Sequence, residues 1–138
     1  MPVLTEAAQS FLQLGAWSVL LLFVHIALQG MFATRDLGLD YNASPRDEQK
    51  TSTSRQAQRA ERASLNFRET YPAFVLLVLG LAIAGQDTTT GFLGAWLWFL
   101  ARIIYYPLYL MGIPYIRSVV WLASLIGLLL MFIALVSA

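Results

Sequence analysis

Four long apolar stretches dominate the chain, separated by one long polar segment and two short turns. Residues 7–34 and residues 118–138 contain no Asp, Glu, Lys or Arg. At about 1.5 Å per residue, a helix of either length spans the roughly 30 Å hydrocarbon layer of a bilayer. The pattern predicts four transmembrane helices, at about residues 8–34, 70–86, 92–111 and 118–137.

The long polar segment contains most of the charged residues of the chain. It predicts an exposed loop at about residues 35–58, and the alanines of residues 55–69 favour a charged helix that continues into the second span. All nine basic residues lie in or beside the first and third loops. The positive-inside tendency therefore predicts that these loops face the cytoplasm and that both termini lie on the opposite side.

Composition agrees with a membrane protein of one all-α domain over residues 1–138. The chain is 58% hydrophobic and only 12% charged, with a net charge of +1. No basic field argues for nucleic acid as a partner. The absence of cysteine excludes disulfides, thiolate metal sites and a cysteine nucleophile.

Polar residues recur at helical spacing where three of the predicted helices approach the first and third loops. Because these ends should lie at one depth in an antiparallel bundle, we expect their side chains to form a shared pocket. Guanidinium groups hold carboxylates well, a carboxylate can bind an ammonium group, and an arginine can stabilise a thiolate. The pocket would suit a small polyanionic ligand. The residues concerned are Arg59, Arg62, Asn66 and Glu69, then Arg102, Tyr105 and Tyr109, and finally Arg117 and Ser118.

The same residues also allow a purely structural interpretation. Arg62 and Glu69 can pair with each other or with Arg102 to hold helices together, and Arg117 can extend to the lipid headgroups. Tyrosines are common at the membrane interface whatever the function. From the residues alone, both interpretations stay open.

Two further predictions concern the membrane interior. His25 is the only histidine and lies within the first span, where we expect an interhelical hydrogen bond and no metal site. Glycines within the spans predict close helix packing. These are Gly15, Gly30, Gly80 and Gly94.

Two segments together resemble a known family. Residues 59–74, RAERASLNFRETYPAF, resemble the signature of the MAPEG family, the membrane-associated proteins in eicosanoid and glutathione metabolism. Residues 102–118 are similar to its region between the third and fourth helices. The resemblance departs from the prostaglandin-synthase type at Leu65 and Tyr105, where that type has Arg and His. The short loops resemble the bacterial branch, which implies an inner-membrane location.

The resemblance implies a four-helix protomer in a homotrimer, with glutathione bound between protomers near the cytoplasmic face. Arg117, with Ser118, would stabilise the glutathione thiolate. The positions that would bind glutathione are Arg35, Arg62, Asn66, Glu69, Arg102, Tyr105 and Tyr109.

Three functions follow as hypotheses. The first is a membrane glutathione transferase or peroxidase acting on lipophilic electrophiles that enter from the bilayer. The second is a noncatalytic lipid-binding or partner-binding scaffold of the same family. The third, a proton-coupled transporter, is less well supported because the first, third and fourth spans contain no acidic residue near their middle.

Overall fold

The computed structural model describes residues 4–85 and 88–138, which form five helices and no strand. Four helices are long and apolar enough to cross a membrane. Gln86, the last residue of the predicted second span, and Asp87 of the following turn lie outside the described residues. The helices are α1 Glu6–Leu37, α2 Leu39–Ala43, α3 Arg55–Ala84, α4 Thr89–Met111 and α5 Ile116–Val136.

The long helices begin at hydroxyl side chains, which bond the free N–H groups of the first turn. Thr5 accepts a hydrogen bond from the Ala8 amide, Ser54 from Ala57 and Thr88 from Gly91. As expected from its alanines, the charged segment from Arg55 is the first half of α3, which runs without interruption through Pro72. The α3 helix therefore carries polar groups of the loop directly into the apolar bundle.

The polar loop that joins α1 to α3 is hydrogen-bonded to the end of α1 at the point where α3 begins. One carboxylate oxygen of Asp36 accepts hydrogen bonds from the amides of Thr53, at 2.7 Å, and Ser54, at 3.1 Å. The loop also contains the short helix α2, which the polar sequence pattern did not predict. The ends of α1 and α3 are thus linked by hydrogen bonds on the polar side of the bundle.

The most extensive helix pairings are α4 with α5 and α1 with α3. Gly94 and Gly127 bring the backbones of α4 and α5 together, because a Cβ on Gly94 would lie 2.6 Å from the Gly127 carbonyl oxygen. The prediction of close packing is confirmed at Gly94, and Gly127 was missed. At Gly30 an added Cβ would meet no described atom within 4 Å, so Gly30 makes no close helix contact within the described chain.

Aromatic side chains fill the core between the helices, while aliphatic ones cover much of the outside. Phe74 of α3 stacks on Trp98 of α4 with ring centroids 3.8 Å apart, and both rings are fully buried. In contrast, Ile83 is 86% exposed and Leu76 is 70% exposed. Such an exterior suits contact with lipid acyl chains.

Candidate functional site: a polar track across three helices

Contacts among the predicted site residues run from α3 through α4 to α5. Arg102 of α4 donates a hydrogen bond from Nη2 to Oδ1 of Asn66 on α3, at 2.9 Å. Its guanidinium carbon also lies 4.9 Å from the ring centroid of Tyr105, whose ring is 5.5 Å from that of Tyr109. The guanidinium carbon of Arg117 on α5 lies 4.6 Å from the Tyr109 centroid. We call Asn66, Arg102, Tyr105, Tyr109 and Arg117 the polar track.

The turn between α4 and α5 positions the Arg117 end of the track. Gly112 ends α4 with a left-handed φ of 71°, which glycine adopts without steric cost. A Cβ at this position would displace the guanidinium of Arg59. Arg59 donates a hydrogen bond to the Leu110 carbonyl at 3.0 Å. Arg59 of α3 therefore secures the end of α4.

Arg117 lies in the first turn of α5, which begins at Ile116 with no side-chain cap from the described residues. The N–H groups of a first helical turn lack intrahelical partners and carry partial positive charge. A guanidinium beside them adds to that charge, and no acidic residue occurs in this turn. The start of α5 is therefore a local concentration of positive charge that favours a bound anion.

In contrast to Arg117 at a helix end, Arg102 lies inside the bundle. Its side chain is only 1% exposed, and its Nε and Nη1 atoms are buried without a hydrogen-bond partner among the described residues. Its hydrogen-bond partner is the neutral Asn66. The predicted alternative in which Arg102 pairs directly with Glu69 is not the arrangement in the structure. A buried guanidinium with unused N–H groups can donate hydrogen bonds to further oxygen atoms.

The remaining predicted site residues lie outside the track. Arg62, Glu69 and Ser118 are exposed, and Arg35 lies apart from them beside a cavity of about 100 Å³ next to Asp36. Of five cavities of about 100 to 440 Å³ on the described part of the chain, none is lined by Arg62, Glu69 or Arg117. In the single chain Arg62 and Glu69 are exposed, and Arg117 is half-buried against Tyr109.

His25 makes aromatic contacts in place of the expected hydrogen bond. It is 1% exposed, its ring stacks on Phe67 at 4.5 Å and meets Tyr106 edge-on at 4.2 Å. Neither ring nitrogen has a partner among residues 4–85 and 88–138, so the hydrogen-bond prediction is wrong. A polar contact between α1 and α3 within the bundle is instead the hydrogen bond of 3.1 Å between the hydroxyls of Ser18 and Tyr71.

Comparison with known proteins gives one match. The model of the MAPEG family matches residues 14–137 of the 138-residue chain. No curated protein and no solved structure matches it. The matched region begins in α1, includes all of α3 and α4, and ends just after α5. The chain therefore belongs to the MAPEG family, integral membrane proteins that include glutathione transferases, glutathione peroxidases and noncatalytic members.

Proposed function

We propose that the protein is a glutathione-dependent membrane transferase or peroxidase that acts on lipophilic electrophiles, with the glutathione thiolate stabilised by Arg117. The observation that carries this proposal is the position of Arg117. Its guanidinium rests on Tyr109 beside the uncapped start of α5, where positive charge accumulates. A thiolate is the reactive form of a thiol, and nearby positive charge increases the proportion of that form.

The residues around Arg117 fit the other groups of glutathione. The tripeptide has two carboxylates and one ammonium group, and it supplies the nucleophilic thiol. Exposed Arg62 can bind a carboxylate directly, whereas the two unpartnered donors of Arg102 are buried and would bind one only if neighbouring side chains move aside. Exposed Glu69 can bind the ammonium group. Asn66 can orient Arg102 through the hydrogen bond between them. Ser118 follows Arg117 and supplies a hydroxyl donor.

Assembly is part of the proposal, because Arg62 and Glu69 are exposed to solvent or lipid in the single chain. A homotrimer in which neighbouring protomers enclose Arg62, Glu69 and Arg117 would exclude water from the thiolate. In that arrangement Arg35 would bind a glutathione carboxylate. The single four-span domain would sit in a bacterial inner membrane with the polar track toward the cytoplasm and both termini on the other side, as the basic residues suggest.

A noncatalytic scaffold is the second candidate, and an apolar groove favours it. The groove lies between α1 and α4, has a volume of about 400 Å³, and includes Trp17, Leu20 and Trp96 in its lining. Such a groove suits an acyl chain. A scaffold would keep its lipid binding in Arg62→Ala and Arg117→Ala variants, whereas the enzyme would lose activity in both.

Glutathione binding and thiolate formation can be tested together on the purified protein in detergent. The ultraviolet difference spectrum of added glutathione should show a thiolate band with wild-type protein and none with Arg117→Ala. Arg55→Ala is the matched control, because Arg55 is an exposed arginine at the start of α3, away from the polar track. If calorimetry detects no glutathione binding at millimolar concentration, the proposed enzymatic function is wrong.

A further inference from the structure

A second polar cavity lies on the loop side of the bundle, between the end of α1, the loop and the start of α3. Its volume is about 440 Å³, within the range of small-molecule sites. The charged groups in its lining are Arg46, Lys50 and Glu61. We call it the loop cavity.

The loop cavity is separate from the polar track. On α3 it is lined by Ala57 and Glu61, which are four residues apart and share a face. Arg62, Asn66 and Glu69 point roughly 80° or more around the helix from Glu61, at 3.6 residues per turn. None of the polar-track residues lines the loop cavity. A ligand in the loop cavity would therefore not occupy the proposed thiol site.

Hydrogen bonds hold the walls of the loop cavity in place. Asn42 donates from Nδ2 to the Thr34 hydroxyl at 2.7 Å, which ties α2 to α1. The Lys50 amide donates to the Tyr41 hydroxyl at 2.7 Å, and the Lys50 ammonium lies 5.3 Å from the Tyr41 ring centroid. Gln58 of α3 donates to the Ser52 carbonyl at 2.7 Å. Both flanking helices thus support the loop segment that carries the cations.

Arg46 adopts a left-handed backbone conformation, with φ of 59°, that is uncommon for residues other than glycine. Its Nη2 atom contacts both oxygens of Asn42, and its amide donates to the Ser44 hydroxyl at 3.2 Å. A guanidinium has five N–H donors, so Nη1 and Nε remain for another acceptor. Arg46 is therefore restrained beside the cavity with donors to spare.

The cavity extends from the charged loop into the apolar part of α1. Gln29, Ala33 and Leu37 line it at four-residue intervals, a length of about 12 Å along the helix. Gln29 lies about 9 Å along the axis from Arg35, the first charged residue after the apolar run. A purely water-soluble anion would use only the charged end, whereas an amphiphile would use both.

We propose that the loop cavity binds the headgroup of a membrane phospholipid. Arg46 and Lys50 hold the phosphate ester, while Ala33 and Leu37 contact the adjoining glycerol and acyl region. Two cations against one carboxylate favour a phosphate group, and arginine and lysine are the usual protein donors to it. A phospholipid headgroup and free phosphate both present phosphate oxygens to Arg46 and Lys50. Only the lipid would also contact the apolar end of the cavity, so that end distinguishes the two ligands.

The test measures binding to the purified protein in nonionic detergent by isothermal titration calorimetry. The probes are a short-chain phosphatidylglycerol and, separately, inorganic phosphate. Lys50→Gln removes the ammonium that lies over the Tyr41 ring and should weaken phosphatidylglycerol binding about tenfold, and Arg46→Gln together with Lys50→Gln by more. The matched control Arg55→Gln, an exposed cation outside the cavity lining, should stay within about twofold. The glutathione thiolate band should be unchanged in Lys50→Gln.

The Ala33→Trp variant distinguishes binding of the lipid from binding of inorganic phosphate. It fills the apolar end, so it should reduce affinity for phosphatidylglycerol and leave inorganic phosphate binding unchanged. Equal weakening by Arg55→Gln and Lys50→Gln would overturn the proposal, because it would indicate diffuse surface charge. Inorganic phosphate binding as tightly as the lipid, with no effect of Ala33→Trp, would also overturn the lipid assignment.

Discussion

The guanidinium carbon of Arg117 lies 4.6 Å from the ring centroid of Tyr109, so a cation–π contact joins the first turn of α5 to the last turn of α4. The contact holds a cation beside helix N–H groups that would otherwise repel it. Keeping the guanidinium in this position restricts its side-chain freedom before any anion binds. Arg117 is thus preorganised for the role proposed for it.

Replacement of Tyr109 tests this preorganisation. Tyr109→Leu removes the aromatic face, and a cation–π contact contributes about 0.5–2 kcal/mol, so we expect glutathione binding to weaken about fivefold. Tyr109→Phe keeps the face and should bind within about twofold of wild type. The measurement is the glutathione concentration giving half the thiolate band. Equal loss in both variants would assign the effect to the hydroxyl instead of the ring.

Arg117 itself should matter for rate as well as binding. Arg117→Ala is expected to slow conjugation of chlorodinitrobenzene by about 100-fold, since loss of one preorganised group that stabilises an anion typically has an effect of that size. Arg117→Lys keeps the charge but loses the planar contact with Tyr109, and should show an intermediate rate. A rate for Arg117→Ala equal to wild type would contradict the assigned role.

The hydrogen bond between Asn66 and Arg102 should be a strong determinant of stability. Asn66→Leu leaves the buried guanidinium without its one described partner, and we expect the free energy of unfolding to fall by about 1–3 kcal/mol. Arg102→Met removes the buried charge at similar volume and should cost less. Thermal unfolding by circular dichroism in a fixed detergent measures both. Gln56→Ala, on the exposed surface of α3, is the control and should change stability by less than about 0.5 kcal/mol.

His25 should tolerate an apolar ring. Because its nitrogens have no partner among the described residues while its ring packs on Phe67 and Tyr106, His25→Phe is expected to be neutral or stabilising. His25→Ala should instead destabilise by about 2–4 kcal/mol, through the cavity it leaves. Thermal unfolding distinguishes the two. A large loss of stability in His25→Phe would show that the nitrogens are bonded in the folded protein.

Close packing at Gly94 and Gly127 predicts a position-specific effect of one methyl group. Gly94→Ala and Gly127→Ala should each destabilise by about 1–3 kcal/mol, because backbone atoms of the facing helix occupy the space. Gly30→Ala is the matched control. It adds the same methyl to a helix where no described atom is close, and should be neutral or slightly stabilising. A large effect at Gly30 would point to a protein neighbour on that face.

The sequence predicted some groupings of site residues correctly and others wrongly. Helical spacing grouped Arg102, Tyr105 and Tyr109 correctly, because residues three and four apart share a face. The same spacing grouped Arg59 with the ligand-binding candidates, although it bonds the Leu110 carbonyl at the end of α4. Spacing within one helix shows which side chains lie together, but it does not show which backbone group a long side chain reaches on another helix. The loop cavity was missed because its lining comes from three helices and an irregular loop.

The sequence by itself determined the number and order of the membrane-spanning helices, the concentration of charge beside the first and third loops, and the family. The helices could be predicted because a segment that spans a bilayer needs about 20 successive apolar residues and a backbone that is hydrogen-bonded internally. Runs of apolar residues of that length are visible in the sequence itself. Only the tertiary structure decided that Arg102 pairs with Asn66 and that His25 packs among aromatic rings. Those choices depend on how each helix is rotated against its neighbours, and side-chain packing between helices sets that rotation.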